Sequence, residues 1–190
     1  MSETKKLDGK NIAALVPCYH KQYGNATEVV FLEEEPIVIP RTIATVLKRL
    51  ARDHTVDLQA ARKKYGEMLG CSRAVPVAIN QRTILLPVKV RKTVSRNDAS
   101  RGYINFFAIK DVDGDNDGTR LTLKNDRSIL CYHSIKNINQ HIRNCYFIHQ
   151  KMMKDKEEDA GPLRGYLSYP ATKGDIALIL NELKEIRKKL

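Results

Sequence analysis

The stretch that decides the fold is Cys71–Lys110, which reads CSRAVPVAINQRTILLPVKVRKTVSRNDASRGYINFFAIK. It begins with two short apolar runs, 75–79 and 83–87, which are separated by a turn at Asn80 and Gln81. A third apolar run covers 103–109. Short runs of β-branched and aromatic residues between Asn, Pro and Gly are typical of strands. We therefore expect three strands, the second of which ends at Pro87.

A basic segment, Val88–Gly102, lies between the second and third runs. Against the single acid Asp98 it carries five cations, which are Lys89, Arg91, Lys92, Arg96 and Arg101. Strands at both ends would fix its base and let it present positive charge to a polyanion. A surface loop that only aids solubility is the other interpretation, and the segment alone leaves both open.

Periodicity in the rest of the chain predicts an α+β fold, with a mainly antiparallel β-sheet, packed helices and a C-terminal amphipathic helix. Further strands are expected at 12–16 (ended by Pro17), 28–32, 36–40, 120–124 and 128–132. An amphipathic helix is expected over 42–52, and a second one runs from the cap Asp57 to Met68, before Gly70. Ser134 can cap a long third helix.

These elements predict three parts: an α+β core domain at 1–153, a linker with a short apolar interaction element at 154–172, and the terminal helix at 173–190. The terminal helix has a heptad-like apolar seam. The seam consists of Ile176, Ile179, Leu183, Ile186 and Leu190, with Leu180 beside it. The helix either docks on its own domain or completes a dimer interface.

Two residue clusters suggest metal sites that we do not favour. Carboxylates at Asp113, Asp115 and Asp117 resemble the start of a calcium-binding loop. Lys124, however, stands at the twelfth position, where a bidentate Glu is needed. A tight hairpin loop therefore explains the stretch 111–118 better. Cys131, His141, Cys145 and His149 could form a metal or nucleophile site, yet no compact ligand pair completes it. We expect no metal, no cofactor and no enzymatic activity.

The formal net charge of +11, from 33 Lys and Arg against 22 Asp and Glu, favours a nucleic acid or an anionic membrane as partner. No signal peptide and no apolar stretch of bilayer-spanning length is expected, and four cysteines without a CxxC motif indicate a cytoplasmic protein. Arg62, Lys63 and Lys64 lie on the outer side of the second helix, where they form either a solvated face or phosphate contacts. Few aromatic residues argue against a base-stacking platform and favour entry of the basic segment into an A/T-rich minor groove.

The chain resembles the ComK family of competence transcription factors over most of residues 28–190. The resemblance rests on the order of three pieces, of which the first is 61–65 followed by 75–79 and 84–87. The second is Ser95-Arg96 with Arg101-Gly102-Tyr103, and the third is 122–126, Ser134 and Asn139-Gln140. The resemblance implies a homo-oligomeric activator that binds paired A/T-rich boxes in double-stranded DNA through the minor groove and switches on DNA-uptake genes.

The resemblance also implies removal of the protein by an adaptor of an ATP-dependent protease. An aromatic-apolar-x-aromatic-Pro element would bind the adaptor, and the matching residues are Tyr166, Leu167, Tyr169 and Pro170. The same element and the terminal helix support an alternative, a protein-interaction regulatory module without specific DNA binding. In the DNA-binding hypothesis, Arg91, Lys92, Arg96 and Arg101 approach the groove or its phosphates.

Overall fold

The computed structural model describes residues 7, 11–93, 95, 98–159 and 173–189. Over these residues the chain forms strands in two antiparallel sheets together with helices, so the α+β prediction is confirmed. The chain divides into two compact units, Met1–Met152 and Met153–Leu190, and the first contains both sheets.

The first unit begins with three strands and two helices and continues with alternating strands. The elements in chain order are β1 Ile12–His20, β2 Gly24–Phe31, β3 Ile37–Ile39, α1 Ile43–Asp53, α2 Leu58–Leu69, β4 Val77–Asn80, β5 Thr83–Lys89, β6 Arg101–Asn105, a 3₁₀ turn Phe106–Ala108, β7 Ile109–Asp115, β8 Gly118–Leu123, β9 Ser128–Cys131, α3 Ile135–Asp159 and α4 Lys173–Lys189.

The stretch Cys71–Lys110 supplies three neighbouring strands of the larger sheet, whose order is β3-β2-β1-β6-β5-β4. Tyr103 of β6 pairs with Leu15 of β1 on one side and with Pro87 of β5 on the other. The basic segment therefore connects two adjacent antiparallel strands, and its base is held by their ladder.

Two strand ends predicted at prolines are wrong. β1 continues through Pro17 to His20, and β5 continues through Pro87 to Lys89. A proline within a sheet is tolerated where its missing N–H faces no ladder. β6 pairs with β1 only near Ala14 and Leu15, and β4 pairs with β5 only as far as Leu85, so both prolines lie beyond one neighbouring ladder.

The larger sheet is covered on both faces. On one face, α1 buries Ile43, Val46, Leu47 and Leu50 against a cluster that includes Ile12 and Leu15. On the other face, the second sheet and α3 bury another cluster, which includes Leu121, Leu123, Ile138, Cys145 and Ile148. Successive residues of the strands thus pack alternately into two hydrophobic cores.

The expected bounds of α1 and α2 are confirmed to within about a residue. The Asp57 carboxylate accepts hydrogen bonds from the backbone N–H groups of Gln59 (2.8 Å) and Ala60 (3.0 Å), which caps α2. Gly70 has a φ of 62° and ends the helix in the left-handed conformation. Met68, near the end of the helix, is exposed.

The Asp-rich stretch forms a tight hairpin, as expected, and most of its residues belong to the two strands. β7 runs to Asp115, and the turn contains only Asn116 and Asp117. β7 is an edge strand, and its exposed Asp111 and Asp113 alternate on the solvated face, where charged residues are acceptable.

Helix α3 extends to Asp159, so the expectation that a linker begins at residue 154 is wrong for 154–159. Its buried stripe includes Ile138, Cys145 and Ile148, whereas Ile135 at its start is exposed. The expected adaptor-binding residues Tyr166, Leu167, Tyr169 and Pro170 lie outside the described residues.

Candidate nucleic-acid interface

A basic cleft runs over the first unit between the helical pair α1–α2 and strands β5 and β6. It has two compartments of about 750 and 720 Å³. Both compartments are lined by Arg62, Arg101 and Tyr103, so these three residues form the wall that they share. The cations that line the cleft are Lys48, Arg62, Lys63, Arg73 and Arg101, against the acids Glu67 and Asp98.

The shared wall joins α2 to β6. Arg62 Nη2 lies 3.4 Å from the hydroxyl oxygen of Tyr103 and donates to it. Tyr103 is half-buried within the sheet, while Arg62 and Arg101 are exposed. Two guanidinium groups held at the rim of a concave surface are suited to phosphate oxygens, because the planar fork of Arg can donate two parallel hydrogen bonds.

At the end of β5 and β6, the ladder places two cations side by side. Lys89 pairs directly with Arg101 in the antiparallel register, and both side chains are exposed. Like charges at directly opposed positions destabilise a sheet. A polyanion that contacts both side chains would relieve this repulsion.

Arg91, which we expected to approach the groove, points instead into the protein. Its Nε donates to the backbone oxygen of Ala99 (2.7 Å) and its Nη2 to Oδ1 of Asn25 (2.8 Å). Its guanidinium carbon lies 4.1 Å from the centroid of the Tyr19 ring. Arg91 therefore ties the basic segment to the β1–β2 hairpin, and its charge is already engaged by that structure.

Asp98 is the second tie between the basic segment and this hairpin. Its carboxylate accepts hydrogen bonds from the Tyr19 hydroxyl, from Asn25 Nδ2 (2.7 Å) and from the backbone N–H of Ser95 (2.9 Å). These bonds, that of Tyr19 first, lower the pKa of Asp98 to about 2. The carboxylate thus stays ionised and holds the segment, although it lines the cleft.

The structure brings together three of the eight cations predicted from the sequence: Arg62, Lys63 and Arg101 line the cleft, and Lys89 adjoins it. Lys64 follows Lys63 on α2, and its Nζ lies 5.6 Å from the centroid of the Tyr65 ring. Lys92 is exposed, with its Nζ 5.6 Å from the Tyr132 ring centroid. Arg96 lies outside the described residues.

Sequence reasoning missed three members of the cleft, namely Lys48, Arg73 and Tyr103. Lys48 is on the exposed side of α1, and Arg73 lies in the connection between α2 and β4. The polar face of α1 was a usable signal for Lys48, because a cation opposite an apolar stripe must face outward. No local pattern marked Arg73, which reaches the cleft only because the fold brings the α2–β4 connection next to Pro87 and Arg101.

His133 and His141 stack behind this basic end of the sheet, with ring centroids 5.6 Å apart and ring planes inclined by 24°. The Nδ1 atoms of both rings are buried without a hydrogen-bond partner in the structure. Burial is the main cause that lowers the pKa of His133, and the positive charge of Arg101 lowers it further. Burial also lowers the pKa of His141, followed by the charges of His133 and Arg101. The positive charge of Arg101 thus disfavours protonation of both histidines.

Over the described part of the chain, no group of three or more His, Cys, Asp or Glu is placed so that it could hold a metal ion. Burial raises the pKa of Cys131 to about 12 and raises that of Cys145 as well. His149 packs edge-on against Phe107, with 5.1 Å between ring centroids. Thiols held protonated in this way are poor nucleophiles.

Comparison with protein-family models, with curated proteins and with solved structures finds no match to this chain. Among the residues that the structure describes, no helix has both the length and the apolar content needed to cross a bilayer.

Proposed function

We propose that this chain is a ComK-like transcription factor that binds A/T-rich double-stranded DNA and activates promoters, with DNA-uptake genes as the candidate targets. The observation that carries the proposal is the end of β5 and β6, where Lys89 lies beside Arg101 and Arg101 shares the cleft wall with Arg62. The resemblance stated above supports the choice of A/T-rich boxes. The proposal places the protein in the cytoplasm, acting as a homo-oligomer.

The cleft contributes phosphate contacts in this proposal. Arg62, Lys63 and Arg101 bind the backbone of one strand, and Lys89 and Lys92 extend the contact along the duplex. Such contacts set the position of the protein on the DNA, whereas the narrow minor groove of A/T-rich DNA supplies the sequence preference. Arg91 acts here by holding the basic segment in place rather than by contacting DNA.

The test is a binding titration of an A/T-box duplex and a G/C-matched duplex across a salt series. We expect preference for the A/T duplex to persist above physiological salt. Arg101→Gln should reduce affinity for both duplexes and lower the slope of log affinity against log salt by about one, because one phosphate contact is lost.

Arg82→Gln is the matched control, because Arg82 is an exposed cation at the β4–β5 turn, at the other end of β5 from Lys89. Its slope should equal that of the unchanged protein. Equal losses for Arg82→Gln and Arg101→Gln, or equal affinity for both duplexes, would show that the net charge binds DNA without a site, and would favour the interaction-module alternative.

The adaptor of an ATP-dependent protease belongs to the same proposal, on the resemblance alone. Replacement of both Tyr166 and Tyr169 by Ala should lengthen the lifetime of the protein in cells that contain such a protease. An unchanged lifetime would remove the adaptor from the proposal without touching DNA binding.

A further inference from the structure

Helix α4 has an apolar face that is exposed along its length. Five of its large apolar side chains, Ile176, Ile179, Leu180, Leu183 and Ile186, are each between 52% and 61% exposed. Exposing this many large apolar residues on one short helix is unfavourable in water, and contiguous exposed apolar patches mark interaction sites. The face therefore needs a partner that covers it.

The spacing of these residues identifies the geometry of that partner. Ile176 and Leu183 are seven residues apart, as are Ile179 and Ile186. They occupy the a and d positions of a heptad repeat, and Leu180 at position e widens the seam. Such a seam buries itself against another helix with the same repeat.

The charges beside the seam match those of a second copy of the same helix. Glu182 occupies position g and Arg187 the following position e. Within one helix, residues five apart point about 140° away from each other, so this pair cannot meet there. Across a parallel coiled coil, a g residue faces the following e residue of the neighbouring helix, so Glu182 and Arg187 meet between copies.

We propose that α4 forms a parallel coiled coil with α4 of other copies of this chain, held by the apolar seam and by ion pairs between Glu182 of one copy and Arg187 of the next. The a positions hold Ile176 and Leu183 and the d positions hold Ile179 and Ile186. Ile or Leu at a combined with Ile at d favours three or four helices over two. A 17-residue helix is marginal on its own, so the stabilisation comes from packing between copies. This inference does not depend on DNA binding.

The test is sedimentation equilibrium of the full chain without DNA, over a concentration series, against the 21.6 kDa of one copy. We expect an apparent mass well above that of one copy. Glu182→Lys and Arg187→Glu should each weaken association about tenfold, because each change places like charges together at every interface between helices. The double variant, Glu182→Lys with Arg187→Glu, should restore the original association.

Glu185→Lys is the matched control, because it makes the same charge change at position c, away from the seam, and should leave association unchanged. Leu183→Asn should abolish association, and a urea-unfolding transition equal to that of the unchanged protein would show that the fold of the first unit is intact. A single-copy mass at all concentrations, or association that survives Leu183→Asn, would overturn the proposal. Failure of the double variant to restore association would overturn the parallel pairing.

Discussion

Lys89 and Arg101 are exposed cations that lie directly opposite each other on β5 and β6, and in the proposed function both contact DNA. Lys89→Gln removes the repulsion between directly opposed cations. We expect it to raise the free energy of unfolding by about 0.2–0.5 kcal/mol at low salt and to weaken DNA binding. Urea unfolding and a binding titration of the same preparations measure both effects.

Lys89→Arg is the control for this prediction, since it keeps the charge and should change neither quantity appreciably. A loss of DNA affinity without any gain in stability would mean that the two cations do not repel each other in the free protein. A gain in stability without a loss of affinity would place Lys89 outside the interface.

Arg91 and Lys89 look equivalent in the sequence, two residues apart in one basic segment, and only the fold separates them. The partner that fixes Arg91, Asn25, lies 66 residues earlier in the chain. Tyr19, whose ring Arg91 covers, is also remote in sequence. Charge and spacing could identify the segment as basic, but they could not say which cation remains open to a ligand.

At the scale of elements, the second sheet depends on one glycine. Gly118 has a φ of 156°, and a Cβ atom there would lie 2.2 Å from the backbone oxygen of Cys131. Gly118→Ala must therefore displace β9 from β8, and we expect it to lower the free energy of unfolding by about 2–3 kcal/mol. Thermal or urea unfolding measures this change.

Gly114→Ala is the control within the same hairpin. A Cβ atom at Gly114 would meet nothing within 4 Å, and its φ is not positive. This variant should stay within about 0.5 kcal/mol of the original stability. Equal destabilisation by both variants would mean that the hairpin responds to loss of any glycine, and not to the contact with Cys131.

The helices were more predictable than the strand ends, and the reason is the range of the interactions. The start of α2 depends on Asp57 and the two N–H groups next to it, and its end depends on Gly70, so all of the signals are local. The strand ends predicted at Pro17 and Pro87 were wrong, because β1 and β5 continue through these residues. Whether a proline ends a strand depends on how far the neighbouring strand extends, which no local pattern contains.

At the scale of the whole molecule, the stacked histidines couple stability to pH. The pKa values of His133 and His141 lie below the ordinary value of about 6.5, so the unfolded chain binds more protons than the folded chain just below that pH. Stability is therefore complete above about pH 6.5 and falls as the pH drops below it.

The measurement is the free energy of unfolding by urea as a function of pH through this range. Two changes should flatten the fall below about pH 6.5. His141→Gln removes one group that resists protonation, and Arg101→Gln removes a cation that opposes protonation of both rings. A pH profile identical in all three proteins would assign the acid sensitivity to other groups.

The ties at Asp98 and Arg91 have a consequence for the kinetics of association. They fix both ends of the basic segment against the β1–β2 hairpin before any ligand arrives. These ends lose their conformational freedom during folding and not on binding. A polyanion would therefore meet a preorganised surface. Encounter should then be governed by long-range electrostatic steering, with an association rate constant that is high in dilute buffer and falls steeply with ionic strength.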